Sequence, residues 1–191
     1  MAKYLDLEVA ILDIKPRIWR RFLLPENSTF LALHNAIQDA FGWEDCHLFE
    51  FQTSKGKQGI AASPDDEPFE GPAVPRANKV RVASYLAEAG ATCLYVYDFG
   101  DNWDHSVKLK GIVEQPEIFK QRLLGGARAC PPEDCGGVWG YEGYVEIVGL
   151  SDEELEKRAQ KDEDVWERKE WIGDWNPEDF DLTAAQKNFN R

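Results

Sequence analysis

Residues 4–12 read Tyr4-Leu-Asp-Leu-Glu-Val-Ala-Ile-Leu12, and this stretch decides the fold class. Leu5, Leu7, Val9 and Ile11 fall on one face, and Tyr4, Asp6, Glu8 and Ala10 on the other. A period of two predicts a half-buried β-strand. Asp13 to Pro16 supply a turn, and Arg17 to Leu24 (RIWRRFLL) form a second β-like run stopped by Pro25, so the pair predicts an antiparallel hairpin. Downstream, Ser28 is the expected N-cap of a helix carrying Phe30, Leu33, Ile37, Ala40 and Phe41 on one face, with Gly42 ending it. His47 to Gln52 predicts a third strand. Residues 53–78 lack periodicity and are rich in Pro, Gly, Lys and Asp, which predicts a long exposed loop holding at most one short strand.

Order resumes at Lys79, with a short strand at Val80 and Val82 and a helical turn from Ser84 to Ala89. Ala91 to Tyr97 and Trp103 to Val113 are two β-runs joined by Asp98-Phe-Gly-Asp-Asn102, a hairpin turn whose Asp, Gly and Asn tolerate unusual dihedrals. Trp103, His105, Val107 and Leu109 share a face of the second arm. A proline-bounded helical stretch is expected over 116–124, then a Gly- and Pro-dense loop to Gly140. Tyr141, Tyr144, Val145 and Val148 have helical spacing, and Ser151 to Glu154 form a capping box opening a further helix. Residues 151–191 hold 13 acids against 7 bases. They are expected to form an acidic helical tail anchored by Trp166, Trp171, Trp175 and Phe180. The whole is a single α+β domain over 1–191: mainly antiparallel sheet, one early packed helix and a C-terminal helical cap.

The chain has 191 residues with a formal net charge of −13, yet 43% of it is apolar, including seven Trp, ten Phe and six Tyr. That aromatic content belongs to a folded protein rather than a disordered acidic chain. Excess acid opposes sequence-independent nucleic-acid binding, which depends on Lys and Arg neutralising phosphates. Lys3, Asp6 and Glu8 interrupt any signal-peptide core, and no stretch approaches a membrane span, so a cytoplasmic location without membrane attachment is expected. Four cysteines are too few for a disulfide scaffold at this length and are expected to be thiols.

Three segments carry more than composition requires. They are Pro16-Arg-Ile-Trp-Arg-Arg21, running on to Leu33-His34 and Ala40-Phe-Gly-Trp43; Tyr97-Asp-Phe-Gly-Asp-Asn-Trp-Asp-His105; and Cys130-Pro-Pro-Glu-Asp-Cys-Gly-Gly137 with Gly140-Tyr141. In this order and spacing the chain resembles the plasmid pRiA4b ORF-3-like family from Tyr4 through Trp171-Ile-Gly and Phe180-Asp-Leu182. The resemblance implies a compact α+β fold, and members have been labelled resolvase-like or repressor-like. Recombinase chemistry finds no support in the residues. The first serine, Ser28, is explained as a helix cap, the tail is acidic, and no His follows His105 to assist the last tyrosine, Tyr144.

The preferred reading is a non-catalytic binding or regulatory module. Its groove would lie between the 97–105 hairpin and the 130–137 loop, lined by Asp98, Asp101, Trp103, His105, Glu133, Asp134, Trp139 and Tyr141. Aromatic and acidic residues concentrate there and no nucleophile–base pair can be named. An acidic lining suits a protein partner, a small cationic ligand or a divalent metal rather than phosphate. Cys130 and Cys135 have a spacing that can hold zinc, and His105 is a third ligand candidate. The family resemblance instead implies a packing role for Cys135.

Two rival readings use other chemistry. One is a metal-dependent hydrolase or nuclease with His105, Asp98 and Asp101 as ligands and Glu133 as general base. The other is DNA association through Arg17 and Arg21, the only basic surface the charge distribution leaves. Among Lys15, Arg17, Arg20 and Arg21, at least one arginine is expected to pair with a buried carboxylate such as Asp98 or Asp101. His34 and His47 are expected to be semi-buried structural histidines without an acidic partner.

Overall fold

A computed structural model describes residues 1–54, 58–63 and 74–190. Seven strands, β1 (Ala2–Ile11), β2 (Trp19–Pro25), β3 (Phe49–Thr53), β4 (Gly59–Ala62), β5 (Thr92–Tyr97), β6 (Trp103–Gln115) and β7 (Arg122–Ala127), form one sheet. Its order is β4-β3-β5-β6-β1-β2-β7, and every strand pairing is antiparallel. The β1–β2 hairpin expected from sequence is present, with Leu5 opposite Leu24 and Leu7 opposite Phe22. β1 also pairs along its length with β6, through a register shift at Asp6/Leu7. The described residues hold five helices, α1 (Phe30–Phe41), α2 (Gly137–Val148), α3 (Asp152–Ala159), α4 (Val165–Ile172) and α5 (Leu182–Phe189), so the class is α+β as expected. Of the expected long loop, 59–62 is β4, and 55–57 and 64–73 lie outside the described residues.

The core lies where α1 meets the inner sheet face. Leu5, Leu7, Val9, Ile11, Phe22, Phe30, Leu33, Ile37, Phe51, Tyr95, Trp103, Val107 and Leu109 are buried together. The other face of β1 is covered too, contrary to the half-buried expectation. Tyr4 is buried with its ring 4.1 Å from that of Phe119, and its hydroxyl accepts the Phe119 amide at 2.9 Å. Asp6 is buried beneath Arg21. Thr29 rather than Ser28 caps α1, its hydroxyl accepting the Ala32 amide, while Gly42 ends the helix in the left-handed region as expected. At 80–84 there is no strand, only a bridge between Thr29 and Arg81 and one 3-10 turn, Val82–Ser84.

The expected helix over 116–124 is absent: residues 116–121 are irregular and β7 begins at Arg122. A Gly-Gly pair reads as a loop, but a side chain at Gly126 would stand 2.6 Å from the Phe180 ring and 2.8 Å from Arg20, so this strand is kept bare where both pack on it. α5 closes the β7 edge: Leu123 donates its amide to Asn190, Gln186 donates to the Leu123 carbonyl, and Gln121 donates to the Phe189 carbonyl. Covering an edge in this way removes a template for unwanted strand pairing. Of the tail's expected anchors, Trp175 and Phe180 pack against the core while Trp166 and Trp171 are exposed, and Leu155, Val165, Ile172 and Phe189 are its buried residues. The Ser151 capping box is present. No helix among the described residues is long and apolar enough to cross a membrane.

Candidate functional site

The hairpin turn between β5 and β6 is built on Asp98 and Asn102, both with positive φ. Asp98 is buried, and its carboxylate accepts the Gly100 amide at 2.9 Å. Three hydrogen bonds fix the 130–137 loop: the Trp43 indole donates to the Pro131 carbonyl at 2.9 Å, the Trp175 indole to the Cys130 carbonyl at 3.0 Å, and the Gly136 amide joins the loop to the hairpin turn through the Asp101 carboxylate at 3.0 Å. Glu133 completes the junction, accepting the Glu44 amide at 2.9 Å and the Tyr97 hydroxyl at 3.0 Å. Burial first, and then the Glu133 charge, raise the Tyr97 pKa, so this phenol stays protonated and donates.

The hairpin and loop singled out by sequence are therefore neighbours, but they do not expose all eight groove candidates. Trp103, His105 and Tyr141 are buried. His105 lies in the aromatic core 5.3 Å from the Trp43 ring, and its Nδ1–H donates to the Trp103 carbonyl at 2.9 Å. Burial pushes its pKa down to about 4, so the ring is neutral. Strand alternation placed Trp103 and His105 on one face correctly, and that face is the core. Among the described residues, no group of three ligand atoms within 4.8 Å contains Cys130, Cys135 or His105, and none joins His105 to Asp98 and Asp101. Burial raises both thiol pKa values.

Residues 45–47, which sequence reasoning left out of the site, bring two histidines to acidic partners. His34 Nε2 lies 2.6 Å from Asp45 Oδ1, and its Nδ1 lies 2.8 Å from the buried Tyr95 hydroxyl. His47 Nε2 stands 3.1 Å from Asp134 Oδ1 and 3.8 Å from Asp98 Oδ2. One ligand atom each from His47, Asp98 and Asp134 lie within 4.8 Å of one another, as do one each from Cys46, His47 and Glu133. The expectation that these histidines lack an acidic partner is thus overturned. The partners come from a loop following α1, from the hairpin turn and from the 130–137 loop, so no sequence spacing signals them.

The family model of the plasmid pRiA4b ORF-3-like proteins matches residues 3–184. The chain belongs to this family. A curated relative from Sinorhizobium fredii, y4hQ, described as uncharacterized, is 34% identical over all of this chain and 89% of its own length. The crystal structure of MM3350 from Methanosarcina mazei, a protein of unknown function, shares 36% identity over 96% of this chain and 98% of its own, with a TM-score of 0.76.

On this pRiA4b ORF-3-like fold, the exposed part of the expected groove is a cleft of about 500 Å3 between the hairpin turn and the start of α2. Leu12, Asp13, Asp101, Asn102, Asp104, Val138, Trp139 and Glu142 line it. Trp139 is 87% exposed. Burial, and then the charge of Asp13, raise the Asp104 pKa, as expected where carboxylates crowd without a cation.

The basic surface is neutralised where the chain carries it. Arg17 donates to Glu8 at 2.7 Å, and Arg21 donates bidentately to Asp6 at 2.8 and 2.7 Å. The buried Arg20 reaches no Asp98 or Asp101 carboxylate; it donates to the carbonyls of Trp19, Ala40, Ala127 and Arg128. With Arg17 and Arg21 already paired to acids, this face of the pRiA4b ORF-3-like chain offers phosphate little uncompensated charge.

Proposed function

We propose that this pRiA4b ORF-3-like chain is a cytosolic, non-catalytic binding module whose cleft takes a positively charged segment of a partner protein. The observation that carries the reading is Trp139, 87% exposed on a cleft walled by Asp13, Asp101, Asp104 and Glu142. An exposed indole beside carboxylates suits a guanidinium or ammonium group, which gains attraction to the ring face as well as charge neutralisation. A net charge of −13 steers such a partner inward from a distance. The described residues place no nucleophile beside a general base at this cleft. Four free cysteines fit a reducing compartment.

A fluorescein-labelled octa-arginine peptide is the probe, with an octa-glutamate peptide as control, and anisotropy the measurement. The expected result is saturable, salt-sensitive binding of octa-arginine only. Trp139→Ala should weaken it about fivefold, the worth of a cation–π contact of roughly 1 kcal/mol. Trp166→Ala, on the tail, should leave it unchanged. Equal binding by wild type and Trp139→Ala removes the cleft from the function.

A further inference from the structure

We infer that His47, Asp98 and Asp134 form a zinc site at the junction of the hairpin turn, the 130–137 loop and the loop after α1. Cys46 and Glu133 form a second group around the same His47, one donor atom from each of the three lying within 4.8 Å of the others. This goes beyond the peptide cleft and shares no ligand residue with it.

Zinc bonds of roughly 2.0–2.2 Å to nitrogen and oxygen put tetrahedral donor atoms about 3.4 Å apart. His47 Nε2 stands 3.1 Å from Asp134 Oδ1 and 3.8 Å from Asp98 Oδ2, distances that bracket this value. Despite this proximity, His47 Nε2 makes no hydrogen bond among the described residues, and neither does Glu133 Oε2, although both atoms are shielded from solvent. Shielded polar atoms left unpaired are costly and rare. His47 and Glu133 also group with Cys46, and a cation bound among them would take these unshared lone pairs.

The supporting shell is already in place. Asp98 is held by its bond to the Gly100 amide, and Glu133 by the Glu44 amide and the Tyr97 hydroxyl, each through one oxygen that leaves the other free. Groups fixed in this way orient ligands before the metal arrives. The mixed nitrogen, oxygen and sulfur donor set favours zinc over calcium or magnesium, which take oxygen. The site's consequence is mechanical: one ion would tie three segments, 46–47, 98 and 133–134, that are far apart in sequence.

The test uses the full chain, tag-free and stripped with a chelator, titrated with zinc chloride by calorimetry and followed by thermal melting. Wild type should bind one zinc per chain and melt higher with it, since a ligand of the native state alone stabilises that state. His47→Ala and Asp134→Asn should each weaken binding at least tenfold and lose the thermal gain. Asp134 has a largely exposed side chain, so its variant folds regardless. Cys130→Ser should bind as wild type does. Absence of stoichiometric binding in wild type, or unchanged binding by Asp134→Asn and His47→Ala, overturns the site. Trp139→Ala should still bind zinc, so failure of the peptide cleft and failure of the metal site are read separately.

Discussion

Asp101 Oδ2 accepts the Gly136 amide at 3.0 Å, joining the hairpin turn to the loop that opens α2. The joint leaves no room on its helical side. A Cβ on Gly140 would lie 1.7 Å from the Cys135 carbonyl oxygen, and that atom is backbone. Gly140→Ala must therefore displace either the first turn of α2 or the loop that carries Glu133 and Asp134. The expected cost exceeds about 3 kcal/mol, beyond what ordinary substitutions cost. At this chain length that lowers the melting temperature by roughly 10 °C. Gly143→Ala is the matched control, because its Cβ would meet only an ordinary contact 3.5 Å from an Arg168 nitrogen. Its melt should stay near wild type, and similar melts for the two variants would contradict this account.

Arg20 is a buried cation with no carboxylate partner among the described residues. Its guanidinium donates to four carbonyls, those of Trp19, Ala40, Ala127 and Arg128, and lies between the rings of Phe41 and Phe180, 5.1 and 4.3 Å from their centres. Burial lowers its pKa to about 10, so it stays charged at neutral pH. Four carbonyls from three segments, 19, 40 and 127–128, need a planar fork of donors, which an ammonium cannot supply. Arg20→Lys should cost about 2–3 kcal/mol in urea unfolding through the carbonyls left unpaired. Arg17→Lys, at an exposed pair with Glu8, should change stability by less than about 0.5 kcal/mol. Equal effects of the two lysine substitutions would mean that the fork geometry carries no energy.

The sheet was legible where its signal is local. Alternation in β1, turn chemistry at 98–102 and the capping box at Ser151 each depend on neighbours in sequence. β7 was not legible, because Gly126 is there for the side chains of Arg20 and Phe180, which belong to other elements. The site divides the same way. Trp139 and Asp101 stood out by motif, but His47 acquires its acidic partners from 98 and 134, two loops it meets only through the fold. His105 shows the converse: alternation states which residues share a face and not which face is covered.

Tyr95 organises the histidine network behind the site. Its hydroxyl lies 2.8 Å from His34 Nδ1 and accepts from the Gln38 amide nitrogen at 3.2 Å, while Gln38 Oε1 accepts the Asp45 amide at 3.0 Å. Asp45 returns to His34 Nε2, closing the circuit. Tyr95→Phe removes one oxygen and leaves two buried groups without their partner, at an expected cost of about 1–3 kcal/mol. Tyr85→Phe, half exposed, should be within about 0.5 kcal/mol of wild type. Urea unfolding of both variants checks this, with the denaturant slope unchanged. A neutral Tyr95→Phe would show that the circuit adds nothing to stability.

His105 predicts how stability depends on pH. Its pKa is lowered by burial to about 4 in the folded chain, against about 6.5 when unfolded. Between these values the unfolded state binds a proton that the folded state refuses, so stability rises with pH across the window. The contribution is full above about pH 6.5, declines as pH falls, and is exhausted below about pH 4. Over about 2.5 units it amounts to roughly 3 kcal/mol. His34, whose pKa burial also lowers despite Asp45, adds to the slope in the same direction. His105→Gln keeps a donor for the Trp103 carbonyl but cannot titrate. Urea unfolding at pH 7.0, 5.5 and 4.5 should show the variant losing less stability than wild type on acidification, with a slope near pH 5.5 shallower by about one proton. Parallel profiles for the two proteins would remove His105 as the source of the acid sensitivity.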